Sequence, residues 1–357
     1  MVETEDVFDY AKYRLAEIIN KIKETKVYDK VIEFSAQSAN KISQNKLPNY
    51  NGNYITCDGR SILAMAGPRD NNDLNILLHH LLDSANPITQ LIVLITNDSD
   101  SDKFYANYFQ LNYPLNCADF DVTKSITMIN NHCAIAREEI DYQKQCIETD
   151  FIVVNKKDHK KTTLKVCSIP VMNGSSIVAP GSPKRSILCS EKNKPFITCM
   201  LNYYLSWLKK GNIAVHCELG FNRSAHFAMI NFFLADFESV FQPQDTDKTV
   251  QNIENKAKQI MSQRDKFCPN LFQFLDAIDI TVMMKVALVS LKLQKPVTHN
   301  HELIDNPSHL SSMIANFSLW SDATQRIDSA LNEELKNAQN DKIESKPVES
   351  NICSPSG

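Results

Sequence analysis

The stretch Asn212–Ser224, NIAVHCELGFNRS, joins a short apolar strand to a cysteine, a loop with one glycine, an arginine and a serine. An apolar pattern typical of a helix follows from Ala225 to Leu234. Backbone N–H groups at the start of a helix have no partner within the helix, and the helix dipole favours negative charge there. The stretch therefore predicts an anion-binding loop between a buried strand and a helix.

The residue types in this loop fit the transfer of a phosphoryl group. A thiolate at a helix N-terminus is a nucleophile, and this is the role we predict for Cys217. The planar fork of Arg223 can hold two phosphoryl oxygens, and Gly220 lets the loop fold its amides inward. We expect Ser224 to donate a hydrogen bond to the sulfur and His216 to position the loop. The predicted phosphate-binding residues are Glu218, Leu219, Gly220, Phe221, Asn222 and Arg223.

This motif resembles the His-Cys-x5-Arg-Ser/Thr signature of the cysteine-dependent protein tyrosine phosphatases. Four more segments resemble that family in the same order: Asn53–Thr56 (Asp-Tyr-Ile-Asn), Ile62–Pro68 (Tyr-Ile-Ala-Thr-Gln-Gly-Pro), Leu91–Thr96 (Val-Ile-Val-Met-Leu-Thr) and Tyr105–Phe109 (Cys-x-Gln-Tyr-Trp). The resemblance covers roughly residues 34–288 and is closest to the tyrosine-specific branch. It implies the phosphatase fold and hydrolysis of phosphotyrosine through a phosphocysteine intermediate.

Two segments depart from the family pattern. The family carries a general-acid aspartate in a Trp-Pro-Asp loop, and Ser176 stands at the matching position. The family also has a glutamine that positions the water for hydrolysis of the phosphocysteine. That glutamine loop falls on Phe267–Phe274, where Pro269 replaces the glutamine, Asn270 follows it, and Gln273 matches a second, mainly structural glutamine.

The missing acid leaves two functions open. General acid–base catalysis contributes about 10²–10⁴-fold, so an enzyme without it is slow. The alternative is a pseudophosphatase that binds phosphotyrosine proteins without turnover. Three residues are candidate substitutes for the acid: Glu218, Asp265 and His226. Each also has a simpler interpretation, namely a solvent-exposed side chain, a loop residue and a packing histidine respectively.

Composition limits the remaining classes. The chain has 357 residues with 43% hydrophobic and 22% charged residues, which is enough apolar material for a large core. A net charge of −4 gives no drive towards nucleic acid or an anionic membrane. The ten cysteines form no Cys-x2-Cys pair, so we expect no metal site and no cofactor. The N-terminus lacks the apolar core of a signal peptide, and the longest apolar stretch, 280–291, is too short to span a bilayer.

Strands are predicted near 54–56, 62–66, 91–96, 126–128, 152–154, 164–170 and 213–216, with a charged hairpin turn at 155–161. Helices are predicted at 8–22, 73–84, 195–209, 249–263 and 271–291. This order indicates an α/β (α+β) fold with a central, twisted, mixed sheet and helices on both faces. We divide the chain into an N-terminal helical segment (1–33), a phosphatase-like domain (34–292) and a C-terminal segment (293–357).

The C-terminal segment has a helical pattern over 308–335 and a polar end that we expect to be disordered. A thiolate catalyst needs a reducing compartment, which predicts a cytoplasmic location. A polar, Glu- and Ser-rich tail is also found on bacterial effectors exported into a host cytosol. The expected partners are phosphotyrosine-containing proteins, with no nucleic acid and no integral membrane segment. Nothing in the sequence indicates an oligomeric state.

Overall fold

The computed structural model describes residues 15–38, 46–82, 87–95, 104–106, 114–129, 147–170, 200–201, 203–208, 212–242 and 244–294. Its strands are β1 (Gly52–Cys57), β2 (Arg60–Ala66), β3 (Gln90–Ile95), β4 (Leu115–Asn116), β5 (Phe120–Ile129), β6 (Ile147–Asn155), β7 (Lys161–Pro170) and β8 (Asn212–Cys217). Its helices are α1 (Leu15–Glu24), α2 (Val27–Ser38), α3 (Asn71–Leu82), α4 (Asn222–Ala235), α5 (Phe237–Val240), α6 (Thr246–Met261) and α7 (Leu271–Gln294). A 3₁₀ turn spans Phe104–Ala106, and residues 200–201 and 203–208 are helical.

One eight-stranded sheet forms the centre, in the order β1-β2-β8-β3-β7-β6-β5-β4. The four middle strands, β2, β8, β3 and β7, are parallel to one another. Strand β1 pairs antiparallel with β2, and β6, β5 and β4 extend the sheet from β7 in successive antiparallel pairs. In the register, Val93 of β3 lies opposite His216 of β8, and Met65 of β2 lies on its other side. The carboxyl ends of β2, β8 and β3 therefore meet at one edge, where open α/β sheets bind ligands.

Both faces of the sheet are covered. Alternate residues of β2 point to opposite faces: Ile62 and Ala64 join the larger hydrophobic cluster, whereas Leu63 and Met65 join the smaller one. The larger cluster contains the apolar faces of α1, α2, α4, α6 and α7, and the smaller one contains α3. Parallel strands buried on both faces are nearly continuous apolar runs, as β2, β3 and β8 are. The mixed sheet with helices on both faces confirms the predicted fold class.

All seven predicted strands and the hairpin turn after β6 are present, but β5 begins six residues and β6 five residues before the predicted starts. The two-residue strand β4 and the helices α2 and α5 were not predicted. The buried face of α2 contains Ser35, whose hydroxyl donates to the Met261 carbonyl at 2.9 Å, so its apolar pattern is interrupted by a polar residue with a tertiary partner. Helices α1 and α2 pack on α6 within the larger cluster.

Several predictions lie outside the described residues. They are the first part of the N-terminal helix (8–14), the loop with Ser176, the start of the helix at 195–209, the helix at 308–335 and the polar C-terminal end. The proposed domain boundaries stay a prediction. Within the described part of the chain, no helix is both long and apolar enough to cross a membrane.

Candidate active site

The loop after β8 places Cys217 at the carboxyl edge of the sheet, directly before α4. The Cys217 carbonyl accepts a hydrogen bond from the Gly67 N–H at 2.7 Å, which ties the end of β8 to the end of β2. The Ser224 hydroxyl donates to the Cys217 sulfur at 3.4 Å, and Ser224 is fully buried. Cys217 therefore has the hydrogen-bond donor that the sequence predicts for it.

The loop needs a glycine at position 220 for two reasons. Gly220 has φ of +73°, in the left-handed region that favours glycine. A Cβ there would lie 2.3 Å from the backbone carbon and oxygen of Met65. Helix α4 begins at Asn222, and its N-cap residue, Phe221, makes no side-chain capping hydrogen bond. The loop can therefore turn tightly against β2 while the first amides of α4 remain available for an anion.

Arg223 is only 9% exposed and lies against the end of β3. Its Nη1 donates to the Leu94 carbonyl at 2.9 Å, and its Nη2 donates to the Tyr105 hydroxyl at 3.5 Å. Both acceptors are uncharged groups, and both contacts orient the guanidinium. Orientation of a planar, charged fork is what two-point binding of a phosphoryl group requires.

His216 is fully buried on β8, with its ring edge-on to Tyr105 at a centroid distance of 5.9 Å. Burial lowers the pKa of His216 to about 3, and the positive charge of Arg223 acts in the same direction, against a backbone hydrogen bond at Cys217. The imidazole is therefore neutral at ordinary pH. A neutral, enclosed ring fits the predicted positioning role and not that of a base.

A family model described as protein-tyrosine phosphatase matches residues 20–283, most of the chain. The chain belongs to the protein-tyrosine phosphatase family. Among solved structures it is similar to the Trypanosoma brucei protein tyrosine phosphatase TbPTP1, with 15% sequence identity over 67% of this chain and 75% of that chain and a TM-score of 0.46. A comparison with curated proteins finds no significant match.

Arg264, which no sequence pattern identified, holds the phosphatase loop (residues 217–223) through hydrogen bonds. Its guanidinium is 2% exposed and donates to the carbonyls of Ala64 (2.6 Å), Asn51 (3.2 Å) and Leu219 (3.2 Å) and to the Asn51 side chain (2.9 Å). The Asn51 amide also donates to the Leu219 carbonyl at 3.3 Å. One side chain thus joins β2, the segment before β1 and the phosphatase loop.

Burial dominates the electrostatics of Arg264 and lowers its pKa to about 10, while negative charge at Cys217 and Asp265 opposes that shift. The guanidinium also lies 5.2 Å from the centroid of the Phe221 ring. In sequence, Arg264 is one of several charged residues after an amphipathic helix. Its partners are backbone carbonyls distant in the chain, so no local pattern could identify it.

The three candidate substitute acids have different surroundings. His226 is 3% exposed and its Nε2 lies 3.1 Å from a carboxylate oxygen of Asp276 on α7, which is equally enclosed. It joins α4 to α7 and is a packing histidine. Because it is buried, it is inaccessible to a leaving group at Cys217. Glu218 and Asp265 are exposed, so both remain available as candidates. The position of Ser176 lies outside the described residues.

In the segment matched to the family's glutamine loop, the polar side chains make hydrogen bonds that support the structure. The Asn270 side chain accepts from the Gln273 N–H at 2.9 Å, and the Gln273 side chain accepts from the Asn270 N–H at 3.1 Å. This reciprocal pair has the geometry of a capping box at the start of α7. The buried Pro269 offers no side-chain donor, and its carbonyl accepts from the Tyr28 hydroxyl at 3.0 Å.

Proposed function

We propose that this protein hydrolyses phosphotyrosine and related aryl phosphomonoesters slowly, through a phosphocysteine intermediate on Cys217. The observation that carries the proposal is the buried Ser224 hydroxyl, which donates to the Cys217 sulfur at the open N-terminus of α4. A hydrogen-bond donor at this position stabilises the negatively charged sulfur, both before it attacks phosphorus and when it leaves.

In the first step, the Cys217 thiolate attacks phosphorus and the bond from phosphorus to the phenolic oxygen breaks. The Arg223 fork and the loop amides of residues 218–223 stabilise the charge on the transferring group. The phenolic oxygen leaves with the electron pair and takes a proton from solvent or from an exposed carboxyl group such as Glu218 or Asp265. The step is therefore faster when the leaving group needs little protonation.

In the second step, water attacks phosphorus, the phosphorus–sulfur bond breaks, and the attacking water loses a proton to solvent. Ser224 stabilises the departing thiolate, and inorganic phosphate is released. Since Asn270 and Gln273 cap α7, their side chains are committed to that cap and not to the attacking water. We therefore propose that hydrolysis of the phosphocysteine limits turnover.

The proposal is tested with para-nitrophenyl phosphate under rapid mixing. We expect a burst of about one equivalent of nitrophenol followed by slow turnover, because the first product forms before the slow step. Cys217→Ser removes both phases. Cys117→Ser is the matched control, since Cys117 is also buried but lies at the start of the β4–β5 turn. Absence of turnover with every aryl phosphate would refute the proposed activity.

The alternative is a phosphotyrosine-binding pseudophosphatase, and the capped, proline-containing segment at 269–273 favours it. Such a protein keeps the loop that binds phosphate but does not complete the second step. Calorimetry with a phosphotyrosine peptide, run beside the turnover assay, separates the two functions. Binding without release of phosphate selects the pseudophosphatase, whether or not a burst is seen, whereas a burst followed by slow release of phosphate selects the enzyme.

We also propose that the protein acts on phosphotyrosine-containing proteins in a reducing compartment. A catalytic thiolate survives only where oxidation is reversed, and none of the cysteines in the described residues forms a disulfide. The corresponding test is loss of turnover on treatment with hydrogen peroxide and its return with dithiothreitol. Activity unaffected by peroxide would contradict a thiolate mechanism.

A further inference from the structure

Helix α2 holds both ends of the connector between α6 and α7 (residues 262–270). At its start, the buried Ser35 hydroxyl donates to the carbonyl of Met261, the last residue of α6, at 2.9 Å. At its end, the Tyr28 hydroxyl donates to the Pro269 carbonyl at 3.0 Å. The two donors are about two helical turns apart in α2, so they lie on the same face of that helix.

Packing keeps this face of α2 in place. Val27 and Val31 are fully buried in the larger hydrophobic cluster. The Tyr28 ring lies edge-on to the Phe274 ring of α7, with a centroid distance of 5.6 Å and an interplanar angle of 68°. Because close packing fixes both the helix and the ring, the Tyr28 hydroxyl has a defined direction towards the connector.

Arg264 lies inside the connector and reaches the phosphatase loop. Its guanidinium donates to the Leu219 carbonyl at 3.2 Å and to the Asn51 side chain at 2.9 Å. The Asn51 amide donates to the same Leu219 carbonyl at 3.3 Å. A set of contacts therefore runs from α2, through the connector and Arg264, to the loop that contains Cys217.

We propose that Tyr28 and Ser35 are positioning residues that keep Arg264, and through it the Leu219 carbonyl, in the geometry in which the phosphatase loop binds a phosphoryl group. The proposal rests on the phosphate-binding role of the loop proposed above. Tyr28 lies in the N-terminal helical segment (1–33) of the division made from the sequence. That segment therefore supports the active site and is not a separate appendage.

The test is the double variant Tyr28→Phe/Ser35→Ala, which removes both hydroxyls and keeps the Tyr28 ring. Both are removed together because the Cys268 thiol also donates to the Pro269 carbonyl, at 3.3 Å, and partly replaces the lost Tyr28 donor. We expect tungstate, a tetrahedral oxyanion, to bind about three- to tenfold more weakly to the double variant, because the connector loses a hydrogen bond at each end. Calorimetry at a temperature where circular dichroism shows both proteins folded measures the affinity.

Ser206→Ala is the matched control. The Ser206 hydroxyl donates to the Gln90 side chain at 2.7 Å, and Gln90 is the first residue of β3, at the opposite edge of the sheet from Cys217. The control thus loses a comparable hydrogen bond away from the loop, and it should bind tungstate as the unmodified chain does. If Ser206→Ala weakens tungstate binding as much as the double variant does, general loss of stability explains the effect and the proposal is overturned.

A double-mutant cycle separates positioning through Arg264 from general support of the fold. In an Arg264→Lys background the contact to the Leu219 carbonyl is already changed, so we expect the two α2 substitutions to weaken tungstate binding by less than about twofold further. Full, additive weakening in that background would mean that α2 acts by another route, and it would overturn the proposal. If Arg264→Lys does not fold, Asn51→Ala takes its place, because it removes one acceptor of Arg264 and one donor to Leu219. The same sub-additive result is then expected.

The remaining outcomes are also decisive. Equal tungstate affinity in the Tyr28→Phe/Ser35→Ala variant and the unmodified chain overturns the proposal. Absence of tungstate binding to the unmodified chain overturns both this proposal and the phosphate-binding role of the loop. If the unmodified chain binds tungstate but turns over no aryl phosphate, only the proposed hydrolysis fails, and the binding cycle still decides the role of the two hydroxyls.

Discussion

The loop Cys217–Arg223 and the segment Arg264–Gln273 contact each other, yet they use their polar groups in opposite ways. In the loop, no side chain of the N-cap residue Phe221 caps the start of α4, and the Leu94 carbonyl orients the Arg223 fork. In the segment, Arg264 binds three backbone carbonyls, and Asn270 and Gln273 cap α7. The loop therefore contains the residues that we propose for binding and attack, while the neighbouring segment supports the structure.

The largest effect is expected from Gly220→Ala, which changes the loop itself. The new Cβ would lie 2.3 Å from the Met65 backbone at positive φ, so the loop must move. We expect at least about a 100-fold loss of kcat/KM, because displacement of about 1 Å at a site can cost that much.

Gly59→Ala is the control: Gly59 also has positive φ (+77°) but nothing within 4 Å of the added Cβ. It should cost about 1 kcal/mol of stability and leave kcat/KM unchanged. Equal kinetic losses in both variants would contradict the steric argument.

The second prediction concerns the supporting segment. Arg264→Lys keeps a positive charge but cannot reach three carbonyls in one plane. We expect the free energy of unfolding to fall by about 3 kcal/mol, since buried acceptors lose their donors, and kcat/KM to fall as the loop loosens. Arg69→Lys, at an exposed ion pair with Asp73, should change stability much less, because solvent screens that pair. Chemical denaturation measures both. An Arg264→Lys variant as stable as Arg69→Lys would show that the segment does not hold the loop.

The third prediction uses pH. The pKa of His216 is about 3 in the folded chain and about 6.5 when unfolded, so between these values the unfolded state binds the extra proton. Stability should therefore fall as pH decreases from about 6.5 towards 3, by up to about 1.4 kcal/mol per pH unit from this residue. His216→Asn should flatten that dependence. Denaturant unfolding at several pH values tests this, and identical slopes in the variant and the unmodified chain would exclude His216 as the cause.

The smallest effect is expected at the capping pair. Gln273→Ala removes one side of the reciprocal cap on α7 and should cost about 1 kcal/mol. If the pair is purely structural, the nitrophenol burst and the slow phase after it keep their amplitudes and rates. Selective slowing of the second phase would instead assign Gln273 a part in hydrolysis of the phosphocysteine.

The mixed sheet, most of the helices on its faces and the loop from Cys217 to Ser224 could be predicted from the sequence alone. Those features follow from local patterns: apolar runs for buried strands, helical spacing for α4, and a cysteine, glycine, arginine and serine at fixed separations. The match to the family model confirms the assignment to the protein-tyrosine phosphatase family that these patterns predict. The assignment of Ser176 stays a prediction.

The contacts that hold the loop, and the candidate acids that remain, could be identified only from the tertiary structure. Gly67 follows β2 and Tyr105 follows β3, and they lie near the loop because parallel strands bring their carboxyl ends to one edge. Arg264 reaches the Leu219 carbonyl from the segment after α6. Likewise, burial of His226 against Asp276 excludes it as an acid for the leaving group. Contacts between distant segments, above all contacts to backbone carbonyls, leave no local pattern in a sequence.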